Sequence, residues 1–273
     1  MRDRTQMSQQ DGFDRQDMHS EQNTQHNPAD DNSAMRYGCD IVRYLRNHSA
    51  ISAAEQSLLR GKRVAVIGLG GLGGFVTECL GRLGVGAMTL IDGDIFEESN
   101  LNRQLLATPS KIGCSKAVAA SQRLAEINYL VTTYPIHQRL TIENASVLLP
   151  GNDVVVDALD NIPDRLVLEQ AASRLQLPLV HGAIAGWNGH ICTVLPGDNI
   201  LSYLYEGAQE NHSGAEADSG NLSFTAAFVA SLQAAEVIKI LLGRGELARG
   251  KLFQLDLLNN KFEQIELYLP HKK

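Results

Sequence analysis

From Arg63 onward, short apolar runs alternate with longer stretches in which apolar residues recur every three or four positions. The runs predict strands over 63–67, 87–91, 131–136, 153–157 and 178–182, and the stretches between them predict helices near 72–83, 114–127, 142–149 and 163–176. Val154-Val155-Val156 and Leu179-Val180 show no polar alternation, which reads as strands buried on both faces of a parallel sheet. After His181 the rhythm changes. His190–Leu195 and Lys251–Leu269 read as antiparallel strands, the second broken by a hairpin at Asn259-Asn260. A polar, glycine-containing loop over about 206–221 precedes an apolar helix from Leu222 to Leu242. The expected fold is α/β, a doubly wound, Rossmann-like, mostly parallel sheet with an antiparallel C-terminal extension.

Ahead of the sheet the pattern is different. Residues 1–35 are rich in Gln, Asp, Asn and Ser and nearly devoid of aliphatic side chains, so they are read as a disordered tail, either solvated or in contact with a partner. Residues 36–60 are read as two helices, one from Tyr37 through Arg46 and one from Ser52 to Leu59, where Ser52 caps and Glu55 falls at the third helical position. Residues 61–270 then form the main α/β domain. The 273-residue chain, 44% hydrophobic and 20% charged, is long enough for an ample core. Its net charge of −7 offers no basic field for nucleic acid or an anionic membrane, and no apolar run is expected to approach the length of a membrane span. The N-terminus lacks the hydrophobic core of a secretory signal. The four cysteines, Cys39, Cys79, Cys114 and Cys192, are scattered without a C-x-x-C pair, which fits a reducing cytoplasm.

The chemistry concentrates where the first strand breaks. Gly68-Leu69-Gly70-Gly71-Leu72-Gly73 is a G-x-G-x-x-G turn between a strand and a helix, and the next strand closes on Asp92. Gly68, Gly70, Gly71 and Gly73 let backbone N–H groups approach a phosphate at a helix N-terminus, and Asp92 is placed to accept ribose hydroxyls. A dehydrogenase needs little polar apparatus after that acid. This chain continues with Asp94, then Ser99-Asn100-Leu101-Asn102-Arg103-Gln104, then Gly113-Cys114-Ser115-Lys116, and a later strand ends in Ala158-Leu159-Asp160-Asn161.

In these motifs, taken with Ser231-Leu232-Gln233-Ala234-Ala235-Glu236-Val237-Ile238-Lys239, the chain resembles the ubiquitin-activating-like adenylyltransferases of HesA/MoeB/ThiF type over roughly residues 37–269. The resemblance implies an enzyme that joins a carrier protein's C-terminal carboxylate to the α-phosphate of ATP and releases pyrophosphate. Such chemistry depends on positioning and charge neutralisation. Arg103 offers a planar fork for phosphate oxygens, Lys116 a compact charge, and Asp160 a carboxylate for Mg²⁺ or, alternatively, a helix cap. Asn100 and Gln104 are candidates for hydrogen bonds to phosphate or ribose, with Asn100 equally able to cap a turn. Asp94 supports the loop or the nucleotide, and Asn161 belongs to the same strand end. The resemblance also implies a homodimer in which an N-terminal arginine reaches the partner's ATP. Arg46 matches by register, although Asn47 stands where Gln is usual, and a solvated helix face is its other reading. The implied partner is a small ubiquitin-like carrier protein ending in Gly-Gly, or a peptide precursor.

Two features of the resembling enzymes are missing. Ser202 and the tyrosines Tyr203 and Tyr205 occupy the region of the first zinc-binding cysteine pair, and the chain closes on Pro270-His271-Lys272-Lys273 without the second. No structural zinc of that kind is therefore expected, and no cysteine lies between Asn211 and Asn221 to continue the reaction past the adenylate. Cys192, His181 and His190 are read as structural, and Trp187 as lining a channel for a flexible tail or filling the core. Three other functional readings remain: a tRNA threonylcarbamoyladenosine dehydratase-like enzyme, an NAD(P)-binding oxidoreductase, and a degenerate scaffold half of a heterodimer. The last should have lost phosphate-handling residues that are all present in this chain.

Overall fold

The structure is a computed structural model that describes residues 42–207 and 219–267. Eight strands form one sheet: β1 Arg63–Ile67, β2 Ala87–Ile91, β3 Thr132–Ile136, β4 Val154–Asp157, β5 Leu179–Ala185, β6 Asn188–Val194, β7 Lys251–Asp256 and β8 Lys261–Glu266. Their spatial order is β3-β2-β1-β4-β5-β6-β7-β8. The first five pair in parallel and β5 through β8 pair antiparallel, as the sequence pattern anticipates. Chain direction across the sheet reverses between β1 and β4, the switch point outside which open α/β sheets leave a ligand crevice.

Seven helices cover the described parts of the sheet: α1 Ala53–Arg60, α2 Gly71–Leu83, α3 Lys116–Ile127, α4 Ile142–Leu148, α5 Ile162–Arg174, α6 Ile200–Leu204 and α7 Ser223–Leu242. Because strand side chains alternate between faces, β1 sends Val64 and Val66 into a layer with Val76, Leu80, Leu124 and Val229. Ala65 and Ile67 enter the opposite layer with Leu149, Leu168 and Leu201. Val154, Val155 and Val156 are fully buried and divide between the two layers in the same way. Each contributes roughly 1.5–3 kcal/mol on burial.

Several boundaries differ from the sequence expectation. The capping box at Ser52 and Glu55 forms as expected. The preceding segment is a 3-10 helix over Val42–Asn47, and the expected helical residues before it lie outside the described residues. The two strands around His181 and His190 extend further toward each other than expected and form a hairpin. β5 runs on to Ala185, Gly186 takes a positive φ of 56°, and β6 returns from Asn188. The short helix α6 has no amphipathic signal of its own. The buried Glu169 carboxylate accepts bonds from the N–H groups of Leu201 and Ser202 and so satisfies its first turn from another helix. Much of the polar loop expected at 206–221 and the end of the last strand lie outside the described residues, as do the N-terminal tail and Cys39.

One expectation needs correction. At 20 residues and a mean hydropathy of 1.6, α7 is long and apolar enough to cross a membrane by length and composition. Here it packs across β4, β5 and β6 and along α2, with Thr225, Gln233 and Glu236 on its buried face. Gln233 Nε2 donates to the Asp157 and Val180 carbonyls, so the helix also closes backbone bonds at the end of β4. A helix that is apolar nearly all round suits the inside of a layered α/β fold.

Candidate functional site

A cavity of about 430 Å³ opens at the carboxyl ends of β1, β2 and β4. Its lining includes Gly68, Gly70, Gly71, Asp92, Asp94, Arg103, Gln104, Lys116, Asp160 and Asn161. The segments that scatter these residues over nearly a hundred positions of sequence thus meet at one rim. Three helices, α2, α3 and α5, begin there at Gly71, Lys116 and Ile162, so three positive dipole ends lie at that rim, with Ser115 and Asn161 capping the second and third. No side chain caps α2, which leaves its first N–H groups available to an anion.

The four glycines differ in what they do. Gly68 takes a φ of 85°, and a Cβ there would stand 2.6 Å from the Ala158 carbonyl oxygen. Gly73 lies outside the cavity lining, and its Cβ would fall 1.8 Å from the Gly68 oxygen. It is needed for helix and strand to pack, not for ligand contact. At Gly70 the neighbour is the movable Gln104 amide, 3.3 Å away. Gly71 meets the Ala226 methyl at 3.5 Å and Arg103 Cγ at 3.9 Å, both ordinary contacts.

Asp92 organises the turn. Its carboxylate accepts from the Leu69 N–H at 2.7 Å and the Asp94 N–H at 2.8 Å, which fixes both loops against each other. Burial pushes its carboxyl above the ordinary range, while those two donors and the Lys116 charge pull the other way. Lys116 is the first residue of α3 and is nine-tenths buried, with Nζ donating to Asp94 Oδ2 at 3.0 Å. Asp94 itself is exposed, so it holds the ammonium at the cavity edge without enclosing it. Arg103 is steadied by the Ser99 carbonyl at 3.0 Å and Asn102 Oδ1 at 2.8 Å, both accepting from Nη1. Asp160 is exposed and accepts from Asn161 Nδ2 at 3.3 Å. Asn161 caps α5 by accepting from the Asp164 N–H.

Besides Gly73, two sequence candidates are not among the cavity's lining residues. Asn100 is buried, and its Oδ1 accepts from the Glu97 N–H, closing the capping box of a 3-10 turn. Of the two roles expected for Asn100 this is the turn cap, and its amide oxygen steadies the turn that presents Arg103. Arg46 is exposed on its 3-10 helix, away from the cavity, and no polar partner for it is found among the described residues. Trp187 neither fills the core nor joins the lining. It is 41% exposed and packs on Phe224 at the tip of the β5–β6 hairpin, with ring centroids 4.8 Å apart.

The structure also contributes residues that the sequence pattern did not single out. Arg139, just past β3, lines the cavity in a two-bond pair with Asp164 at 3.0 and 2.9 Å. Asn221 lines it as well and leaves Oδ1 unpartnered, as Gln104 leaves Oε1. Buried amide oxygens without donors are costly, and both belong to residues of the cavity wall. Nothing in the spacing of Arg139 and Asp164 marks them, because they become neighbours only when β3 and α5 are placed.

Behind the cavity, Asp157 closes β4 in the core. Its Oδ1 accepts from the Leu159 N–H, and its Oδ2 lies 2.7 Å from His181 Nδ1. Burial outweighs the carboxylate and holds His181 below the ordinary imidazole value, and it lowers His190 to about 3. Cys192 is fully buried and its thiol is pushed far up by the same cause, so it is a core residue and not a nucleophile.

The ThiF family model matches residues 44–273. The SAMP-activating enzyme E1 of Haloferax volcanii is 35% identical over 77% of this chain and 78% of its own length. The sulfur carrier protein adenylyltransferase of Thermus thermophilus is 38% identical over 77% of this chain and 80% of its own. The molybdopterin-synthase adenylyltransferase of Salmonella typhimurium is 32% identical over 87% and 94%. Among solved structures, Escherichia coli MccB with ATP superposes with a TM-score of 0.72, covering 85% of this chain and 73% of that one at 20% identity, which establishes the common fold.

Proposed function

The chain belongs to the ThiF family of E1-like adenylyltransferases, and from that premise we propose that it activates the C-terminal carboxylate of a small ubiquitin-like sulfur-carrier protein ending in Gly-Gly. The observation that carries this reading is the single cavity lined by Arg103, Lys116 and Asp160 together with the glycine turn. A nicotinamide enzyme would have no use for that cation pair.

The carrier's carboxylate oxygen attacks the α-phosphorus of ATP. The bond from that phosphorus to the bridging oxygen breaks, and pyrophosphate leaves with the electron pair. Arg103 and Lys116 stabilise charge on the phosphates, the glycine-turn N–H groups hold the α-phosphate side, and Asp92 faces the ribose. Asp160 is an exposed hard-oxygen donor in the same lining, which fits Mg²⁺ bound mainly by substrate phosphates. Bound there, Mg²⁺ would supply charge neutralisation on the polyphosphate. With no cysteine between Asn211 and Asn221, the reaction stops at the acyl-adenylate. The scattered cysteines support a cytoplasmic enzyme.

The test is carrier-dependent ATP–pyrophosphate exchange. Wild-type protein should exchange label only with carrier present, and Asp160→Asn should raise the magnesium concentration needed for half-maximal rate by about tenfold or more. Exchange that proceeds equally well without any carrier would rule out the substrate assignment.

We further infer that the enzyme acts as a two-fold dimer in which Arg46 completes the partner's site, a role supported by its exposed position outside its own cavity, without a polar partner among the described residues. Mixing inactive Arg46→Ala with inactive Lys116→Ala protein should then restore about a quarter of wild-type activity, since half the dimers become mixed and each carries one intact site. Mixtures that stay inactive after subunit exchange would exclude the shared site.

A further inference from the structure

A second cavity of about 130 Å³ lies beside the first, and Ile184 lines both. His190, Tyr205, Arg165 and Gln254 are among its walls. At its base three donor atoms converge. His181 Nε2 and His190 Nε2 are 3.2 Å apart, and the Tyr205 hydroxyl oxygen lies 3.1 Å from the first and 3.4 Å from the second. Proposed adenylation makes no use of this cluster.

Hydrogen bonding alone does not account for the triangle. His181 uses its Nδ1 hydrogen on Asp157, so Nε2 offers only a lone pair. The three mutual contacts then share at most two hydrogens, one from the phenol and one from His190. One edge of the triangle must therefore be a contact without a bond. A cation at the centre satisfies all three atoms at once. Tetrahedral zinc with ligand bonds of about 2.0–2.1 Å separates its donors by about 3.3 Å, which is the spacing found here.

We propose that His181 Nε2, His190 Nε2 and the Tyr205 phenolate bind a divalent first-row transition-metal ion, with a water from the adjoining cavity as fourth donor. The surroundings match such a site. Asp157 holds His181 by its other ring nitrogen, as carboxylates commonly do behind metal-bound imidazoles. Arg165 Nη1 donates to the Tyr205 oxygen at 3.3 Å and so favours the phenolate that binding requires, while the buried Asp157 and Glu169 carboxylates offset the guanidinium charge. Among the described residues no group of three or more His, Cys, Asp and Glu side chains is placed to hold a metal. This cluster differs because a phenol supplies the third donor. A bound ion would tie β5 and β6 to the end of α6, directly behind the wall of the nucleotide cavity.

The experiment uses tag-free, full-length protein stripped by chelator and titrated with zinc alone against a chromophoric competitor, without carrier or ATP. Wild type should bind one equivalent that Tyr205→Phe and His190→Ala each weaken by more than about tenfold, and zinc should raise the Tm of wild type but of neither variant. Tyr205→Phe keeps the ring packing, so a folded variant is expected even if His190→Ala proves unstable. Stoichiometric binding that survives intact in Tyr205→Phe, or no binding by wild type at all, would overturn the site. Because the readout is metal affinity, its failure is distinguishable from failure of the carrier assignment.

Discussion

Arg103→Ala lowers kcat/KM for carrier-dependent pyrophosphate exchange by about 10²–10³-fold, the usual cost of losing one preorganised donor to transition-state charge. The guanidinium is held from behind by the Ser99 carbonyl and the Asn102 side chain. Its remaining donors are thus oriented before substrate arrives, and little is reorganised during the reaction. Arg103→Lys should recover only part of the loss, because an ammonium keeps the charge but not the planar fork. The fold should be indifferent, since Arg103 bonds only to its own turn; far-UV circular dichroism and Tm are expected to match wild type. A variant that exchanges label at the wild-type rate would remove Arg103 from the phosphate site.

The second large effect separates two glycines that look equivalent in the motif. Gly73→Ala places a methyl 1.8 Å from the Gly68 oxygen, a backbone atom at the turn that binds phosphate, and it cannot move without displacing β1 from α2. The expected cost is about 3 kcal/mol or more, read as a Tm lower by about 6–12 °C in a domain of this size, with nucleotide binding lost alongside. Gly71→Ala meets the Ala226 methyl at 3.5 Å and should leave the Tm within about 2 °C of wild type. Equal effects from the two substitutions would mean that the turn is not built as described.

This contrast shows what the chain's pattern carries and where it stops. Strand and helix identities were legible because both sheet faces are covered, so apolar runs such as Val154-Val155-Val156 have one interpretation. The glycine turn, Asp92 and the two cations were legible because each belongs to a local motif whose residue types the chemistry dictates. Asn100 stayed open between two readings for the same reason: its motif names the residue but not which of two partners, ligand or Glu97 N–H, its amide takes. Arg139 with Asp164, and Asp157 with His181, His190 and Tyr205, were invisible because their partners come from different strands and helices. The expected strands ended at residue 182 and resumed at His190, yet the hairpin strands run on to Ala185 and start again at Asn188, with Gly182 and Gly189 inside them. Beside them, Cβ atoms would stand 2.5 Å from Gln233 Cδ and 2.4 Å from a Val229 methyl. Those glycines let α7 approach the sheet, a requirement that appears only once α7 is in place.

Intact-mass spectrometry of a Gly-Gly-ending sulfur carrier, after brief incubation with this protein, ATP and magnesium, tests the central claim most directly. The account predicts a carrier species heavier by one adenylyl group, formed with wild type and with Gly71→Ala but not with Arg103→Ala or Lys116→Ala. A carrier whose mass never changes while wild-type protein binds both partners would contradict it.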